Sequence, residues 1–154
     1  IAFPHNQIKI LDYNRVLKSN LSSENIINII SKKFKIKKIK NNSKNLKKGV
    51  LEMYMNKQWY LLKLIKKNKK LDVTILHENI ISNIKATKID FISGINGSNR
   101  LKKLVTSKKF NIAFKLCPTN ISSVMRIADK KRFMPPKSTW FHPKPLDGLI
   151  CSEL

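Results

Sequence analysis

Glycine is scarce in this chain, with four in 154 residues, and that scarcity excludes several phosphate-binding loops at once. A Walker-type loop or a dinucleotide-binding turn needs closely spaced glycines so that backbone amides can approach phosphate. Acidic residues are also rare: nine Asp and Glu stand against 32 Lys and Arg, which leaves few carboxylates for acid–base chemistry. The two cysteines, Cys117 and Cys151, lie far apart with no metal or redox spacing, and they fit a reducing, cytoplasmic setting. No apolar run approaches roughly 18 residues, so no membrane-spanning helix is expected. The histidines His5, His77 and His142 share no ligand spacing. Only His77 and Glu78 are adjacent, and neighbouring residues on a helix point apart. No metal site is expected.

What the chain has in excess is positive charge, +23 at neutral pH. Such a charge points first to nucleic acid or an anionic membrane. Its makeup argues otherwise, because Lys occurs 28 times and Arg four times. Lys, Asn and Ile together fill 65 of the 154 positions, and their codons are AT-rich, so an AT-rich genome would produce this excess on any protein. Nucleic-acid readers favour Arg, whose planar fork grips phosphate and guanine bidentately. Residues 32–40 offer only Phe34 as a stacking ring. A basic nucleic-acid-binding or regulatory module without catalysis is the rival reading.

A chain of 154 residues is one domain by length and is able to bury roughly 70% of its unfolded surface. Residues 7–17 are β-favouring. Ser22 is placed to cap a helix with Ile26, Ile27, Ile30 and Phe34 on one face. Residues 32–40 alternate loosely as a lysine-protected edge strand. Residues 50–55 and 59–64 flank Asn56-Lys57-Gln58 as a hairpin. Asp72 is placed to cap a second helix with a Val73, Leu76, Ile80, Ile84 stripe. A strand over 89–92 leads through Ser93-Gly94-Ile95-Asn96-Gly97-Ser98 into a third helix carrying Leu101, Leu104 and Val105. A buried strand over 111–116 precedes a fourth helix with Ile121, Val124, Met125 and Ala128 on its apolar side. A last strand is expected near Leu149-Ile150-Cys151. The pattern predicts an α+β domain: a mixed sheet with about four helices packed on it.

The candidate site lies in Met134-Pro135-Pro136-Lys137-Ser138-Thr139-Trp140-Phe141-His142-Pro143-Lys144. Prolines lock φ and remove donors, so this segment is a shaped loop and not a regular helix. Pro135 and Pro136 stand where a phosphate-binding loop would need amides, so any anion would be held by the side chains of Lys137, Ser138 and Thr139. The alternative is a structural corner with Trp140 and Phe141 in the core. Gly94 and Gly97, between a strand and a helix, either present amides to an anion or form a plain turn. In Asp12-Tyr13-Asn14-Arg15, alternation puts Asp12 and Asn14 on one face and Tyr13 and Arg15 on the other. An ion pair or a site wall would explain such polar residues in a strand.

The loop, with Gly148-Leu149 behind it, resembles the C-terminal end of the family catalogued as domain of unknown function 1015. The resemblance extends through Ile10-Leu11-Asp12-Tyr13-Asn14-Arg15-Val16, Met53-Tyr54, Trp59-Tyr60, Asp72-Val73-Thr74-Ile75-Leu76-His77, Ala113-Phe114-Lys115-Leu116 with Pro118-Thr119, and residues 124–129. It is loosest at Pro145-Leu146-Asp147. Members of that family are longer and carry an Asp-Gly-His-His-Arg-Tyr motif, similar to that of ParB-like free-serine kinases, in their N-terminal half. The motif does not occur here, and the chain starts at Ile1. The resemblance therefore implies that residues 1–154 are one domain, the C-terminal part of a longer protein whose missing N-terminal segment is its partner. It implies small-molecule phosphotransfer, such as a nucleotide-dependent serine kinase, in the intact protein. ATP or ADP with magnesium would be bound mainly by the missing half, and the fragment alone would be inactive. Lys137, Ser138 and Thr139, with Arg126, Arg15, Asp12 and Asn14, would hold a phosphorylated ligand.

Overall fold

The computed structural model describes residues 9–66 and 69–142. The first β-favouring stretch is two strands, β1 (Lys9–Leu11) and β2 (Tyr13–Ser19), which part at Asp12 and serve different sheets. Helix α1 (Ser23–Ser31) follows, and its cap is the one the sequence predicts: Ser22 Oγ accepts from the Asn25 amide at 3.3 Å. Ile26 and Ile30 are buried, but Phe34 is not the end of that stripe. It opens β3 (Phe34–Ile39), because the helix has already stopped at Ser31. Lys35, Lys37 and Lys38 are exposed along this edge strand, which discourages pairing with other sheets.

The hairpin is β4 (Val50–Met55) and β5 (Gln58–Leu64). Its turn is two residues and not three: Asn56 and Lys57 take φ of 50° and 59°, and Gln58 already pairs with Met55. Two successive left-handed residues match the right-handed twist of the strands.

Helix α2 (Asp72–Leu76) runs into a π-helical turn, His77–Ile81. Val73, Leu76, Ile80 and Ile84 are buried as the stripe predicts, whereas Asp72 is not the cap. Leu71 is the capping position, and both Asp72 carboxylate oxygens accept from the Gly49 amide, at 3.0 and 3.1 Å. The carboxylate is drawn away from its own helix because it ties down the turn before β4.

β6 (Ala86–Ser93) leads through a 3₁₀ turn (Gly94–Asn96) into α3 (Gly97–Thr106), then β7 (Ile112–Lys115), α4 (Ile121–Asp129) and β8 (Trp140–His142). The six-stranded sheet has the order β3-β5-β4-β7-β2-β6, with every described pair antiparallel, and β1 pairs with β8 separately. With four helices among the described residues, this is the predicted α+β class, and the sheet expected to be mixed is antiparallel in its described strands. Leu17, Met53, Ile112 and Phe114 face α1 and α2, while Val16, Tyr54 and Ala113 face Leu101 and Val105 of α3. Burial on both faces explains why residues 50–55 read as a nearly unbroken apolar run.

The fourth helix departs from expectation. Asn120 caps it through the Ser123 amide at 2.9 Å, but its buried residue is Ser123 and not the apolar side. Met125 is 57% exposed. The Ser123 side of the helix faces the segment holding Leu71 and Asp72, with which it lines a small cavity. The expected last strand at Leu149-Ile150-Cys151, together with His5, Pro143, Lys144 and Gly148, lies outside the described residues.

Candidate functional site

Arg15 organises the proline-rich loop. It lies on β2 with 3% of its surface exposed, and its guanidinium donates to the Lys137 carbonyl at 2.9 Å and the Pro136 carbonyl at 3.4 Å. On its own strand it donates to the Tyr13 carbonyl at 2.7 Å. The guanidinium also lies 4.4 Å from the Phe91 ring centroid, on the neighbouring strand β6. Burial lowers its pKa to about 10, with the nearby Tyr13 acting in the opposite direction. It remains charged at neutral pH, so its bonds are charge-assisted.

The loop is held elsewhere as well. Ser138 donates its hydroxyl to the Pro135 carbonyl, and Thr119 donates to the Ser138 carbonyl at 3.2 Å. Lys137 takes φ of 53°, and its ammonium stands 5.8 Å from the Tyr13 ring centroid. Trp140 packs edge-on against Tyr13 at 5.6 Å, while Phe141 is 37% exposed, so the rings following the loop are not both in the core. Thr139 is half-buried.

The other sequence-derived residues separate into two groups. Asn14 is 1% exposed, and its side-chain oxygen accepts from the Leu116 amide at 3.0 Å, stitching β2 to the end of β7. Asp12 gives its carbonyl to the Gly94 amide at 2.8 Å, and its carboxylate lies where a Gly94 Cβ would be. The Gly97 amide is engaged by the Gly94 carbonyl. Those two amides are therefore unavailable to an anion, and an acid sits beside them, so the plain-turn reading of this segment stands. Phe34, the one ring of the lysine-rich edge strand, is 1% exposed and offers no stacking surface.

Arg126 lies away from the Arg15 cluster, in a cationic groove. On α4 it donates to Ser123 Oγ at 3.2 Å. Together with Lys69, Lys70, Lys130, Arg132 and Phe133 it lines a cavity of about 600 Å³. A contiguous cavity of about 460 Å³ shares Lys69, Lys70 and Arg126 and adds Lys48 and Lys63. Phe133 is 98% exposed at this groove. Nothing in the sequence distinguished Lys69, Lys70 and Lys130 from the other lysines. Arg132 carried a faint signal, as one of only four arginines.

Two smaller cavities adjoin the groove through α2. One, of about 330 Å³, is bounded by Val73, Ile81, Ile89, Phe91, Pro135 and Pro136, with Arg15, Thr74, His77 and Glu78 completing it. It shares Thr74 and Pro135 with the cationic groove. The other, about 160 Å³, contains Asp72, Cys117, Thr119 and Ser123. Burial raises the Asp72 pKa, against the Gly49 bond and Lys48, which lower it. Burial also raises the Cys117 thiol, helped by Asp72 and Asp12. Among the described residues no three His, Cys, Asp or Glu come together to hold a metal, and no helix is long and apolar enough to cross a membrane.

Comparisons with solved structures find this fold elsewhere. A free serine kinase mutant in complex with AMP matches with a TM-score of 0.56 at 12% identity, over 88% of this chain and 54% of that one. A free serine kinase mutant in complex with ADP matches with a TM-score of 0.54 at 14% identity, over 88% and 54%. A conserved hypothetical protein from Pyrococcus furiosus gives 0.57 at 12%, over 87% and 56%. At such identities the likeness is one of fold, and this chain spans about half the length of those it matches. No curated protein matches it. The family model described as "Protein of unknown function (DUF1015)" matches residues 1–86, a span that runs from β1 through α2 and ends before the proline-rich loop. With more than half of its length covered by that model, the chain belongs to the DUF1015 family.

Proposed function

We propose that this chain supplies the phosphate-binding wall of a small-molecule phosphotransferase, a nucleotide-dependent kinase of serine or a similar hydroxyl substrate, completed by further residues in a longer protein. The observation that carries the reading is the groove around Arg126, where Lys69, Lys130 and Arg132 converge on a cavity of about 600 Å³, with Lys70 held beside them by Glu78. That size suits a nucleotide, since ligand cavities run from about 300 to 1,000 Å³. Phosphoryl transfer needs positioned positive charge more than covalent help from the protein. Support also comes from the shared fold, because the solved free serine kinases carry AMP or ADP.

In this reading the substrate hydroxyl oxygen forms the new P–O bond while the bond to the nucleotide's leaving oxygen breaks, and its electron pair stays on the departing phosphate. The hydroxyl proton passes to a base supplied by the longer protein. Arg126 is the member of the sequence-derived set that lines the groove, and in this reading it meets the phosphate. Arg15 and Ser138 position the loop. The test is transfer of labelled phosphate from ATP or ADP to serine by the longer protein. Arg126→Ala is expected to lower kcat/KM by about 10²-fold or more, with the melting temperature unchanged. Unchanged turnover would refute the role.

A second reading rests on Phe133. A ring 98% exposed beside Arg126, Lys130 and Arg132 is also suited to stacking on a single-stranded nucleic acid. Steeply salt-dependent oligonucleotide binding, lost with Phe133→Ala and untouched by nucleotide, would favour that reading.

A further inference from the structure

The cationic groove explains where phosphates would go but not what else the ligand carries. Its neighbour differs sharply in character. The cavity of about 330 Å³ beneath Pro135 and Pro136 is walled by Val73, Ile81, Ile89 and Phe91, with polar groups at Thr74, His77 and Glu78. One wall is flat: the planar guanidinium of Arg15 lies on the Phe91 ring at 4.4 Å. The guanidinium is fixed there by its bonds to the Tyr13 and Lys137 carbonyls.

The two spaces meet. Thr74 and Pro135 line both, and an ion pair crosses between them, from Lys70 in the groove to Glu78 in the apolar cavity at 2.6 Å. One ligand filling both must therefore be flat and largely apolar at one end and multiply anionic at the other. A free phosphate, a sugar phosphate or an acyl phosphate lacks a flat aromatic ring, and a free nucleoside lacks the charge. A nucleoside diphosphate has both.

We infer that the cavity under Pro135 and Pro136 is a nucleobase pocket, with the ring against the Arg15–Phe91 wall and the phosphates in the Arg126 groove. This rests on the phosphotransfer reading and adds to it the location of the base. It also gives the proline-rich loop a function: it roofs the base pocket, and Arg15 holds the roof in place.

The test separates the two ends of the ligand. Adenosine, inorganic pyrophosphate and ADP are titrated into the longer protein that contains this chain by ligand-observed NMR, which detects millimolar binding. Melting temperatures verify that each variant is folded. Phe91→Ala is expected to weaken adenosine and ADP by about five-fold or more and to leave pyrophosphate unchanged. Ile89→Ser, which removes a wall without touching the Arg15 stack, is expected to act in the same direction. Arg126→Ala is expected to weaken pyrophosphate and ADP but not adenosine. The base pocket is overturned if adenosine does not bind, or binds equally to Phe91→Ala and Ile89→Ser, while pyrophosphate and ADP still depend on Arg126. The phosphotransfer reading then stands without it. If adenosine depends on Phe91 but neither phosphate ligand depends on Arg126, the phosphate site is overturned and a nucleoside pocket remains.

Discussion

Replacing Arg15 with methionine should free the proline-rich loop while leaving the sheet folded. Two effects oppose each other at this residue. Its short bonds to the Lys137 and Tyr13 carbonyls, 2.9 and 2.7 Å, are charge-assisted and contribute roughly 1.5–3 kcal/mol each. Against them, lowering the pKa from 12.5 to about 10 corresponds to a penalty on the charged form of about 3 kcal/mol. Methionine keeps much of the apolar stem and carries no buried charge. The global stability of Arg15→Met should therefore fall by no more than about 3 kcal/mol by urea unfolding. The local effect should be larger, because the Lys137 bond is the tether between loop and strand. Amides at Trp140–His142, which pair with β1, should exchange about 10- to 100-fold faster with solvent, while those of β4 and β7 change only with global stability. Hydrogen exchange followed by NMR reads both at once. If core and loop amides accelerate together, or the loop does not change at all, the tether argument is wrong.

Further substitutions test neighbouring parts of the account. Burial holds the Asp72 pKa above 3.8 in the folded chain, so the folded state binds its proton more tightly than the unfolded state does. Its contribution to stability is full below that pH and lost as pH rises through the folded-state value. Asp72→Asn should remove this slope, measured as the difference in unfolding free energy from wild type at successive pH values above 3.8. Cys117 should alkylate more slowly than free cysteine at pH 8, because burial, Asp72 and Asp12 raise its pKa. Asp72→Asn should speed the reaction in a Cys151→Ser background, and equal rates would contradict the assignment. Asn14→Leu should destabilise the chain by about 1–3 kcal/mol by stranding the buried Leu116 amide. A neutral result would return Asn14 to the list of ligand-binding candidates.

Much of the fold was legible because local signals and burial agree. The Ser22 cap, the apolar stripe of α2 and the alternation of the strands each follow from spacing. What the sequence misplaced depends on distant partners. Asp72 has the side chain of a cap, but Gly49, 23 residues away, draws it off. The apolar side of α4 is strongly patterned, yet the residue it buries is Ser123 on the opposite side. The loop was legible as a shaped segment, but its tether to Arg15, 122 residues earlier, was not. The groove was hidden for a different reason. In a chain with 28 lysines, the few that converge on one cavity look like all the others until they are placed in space. The buried Glu52, which accepts from the Ser43 amide at 2.7 Å and lies 3.9 Å from Lys115, was likewise unmarked in an apolar strand.

The measurement that tests the central claim most directly is a calorimetric titration of ADP into the longer protein that contains this chain and into its Arg126→Ala/Arg132→Ala variant, both at 0.15 M salt. If the groove is a phosphate wall, binding is saturable at one ADP per chain, and the double variant loses about ten-fold or more in affinity. Absence of saturable binding, or equal affinity in the two proteins, would contradict it.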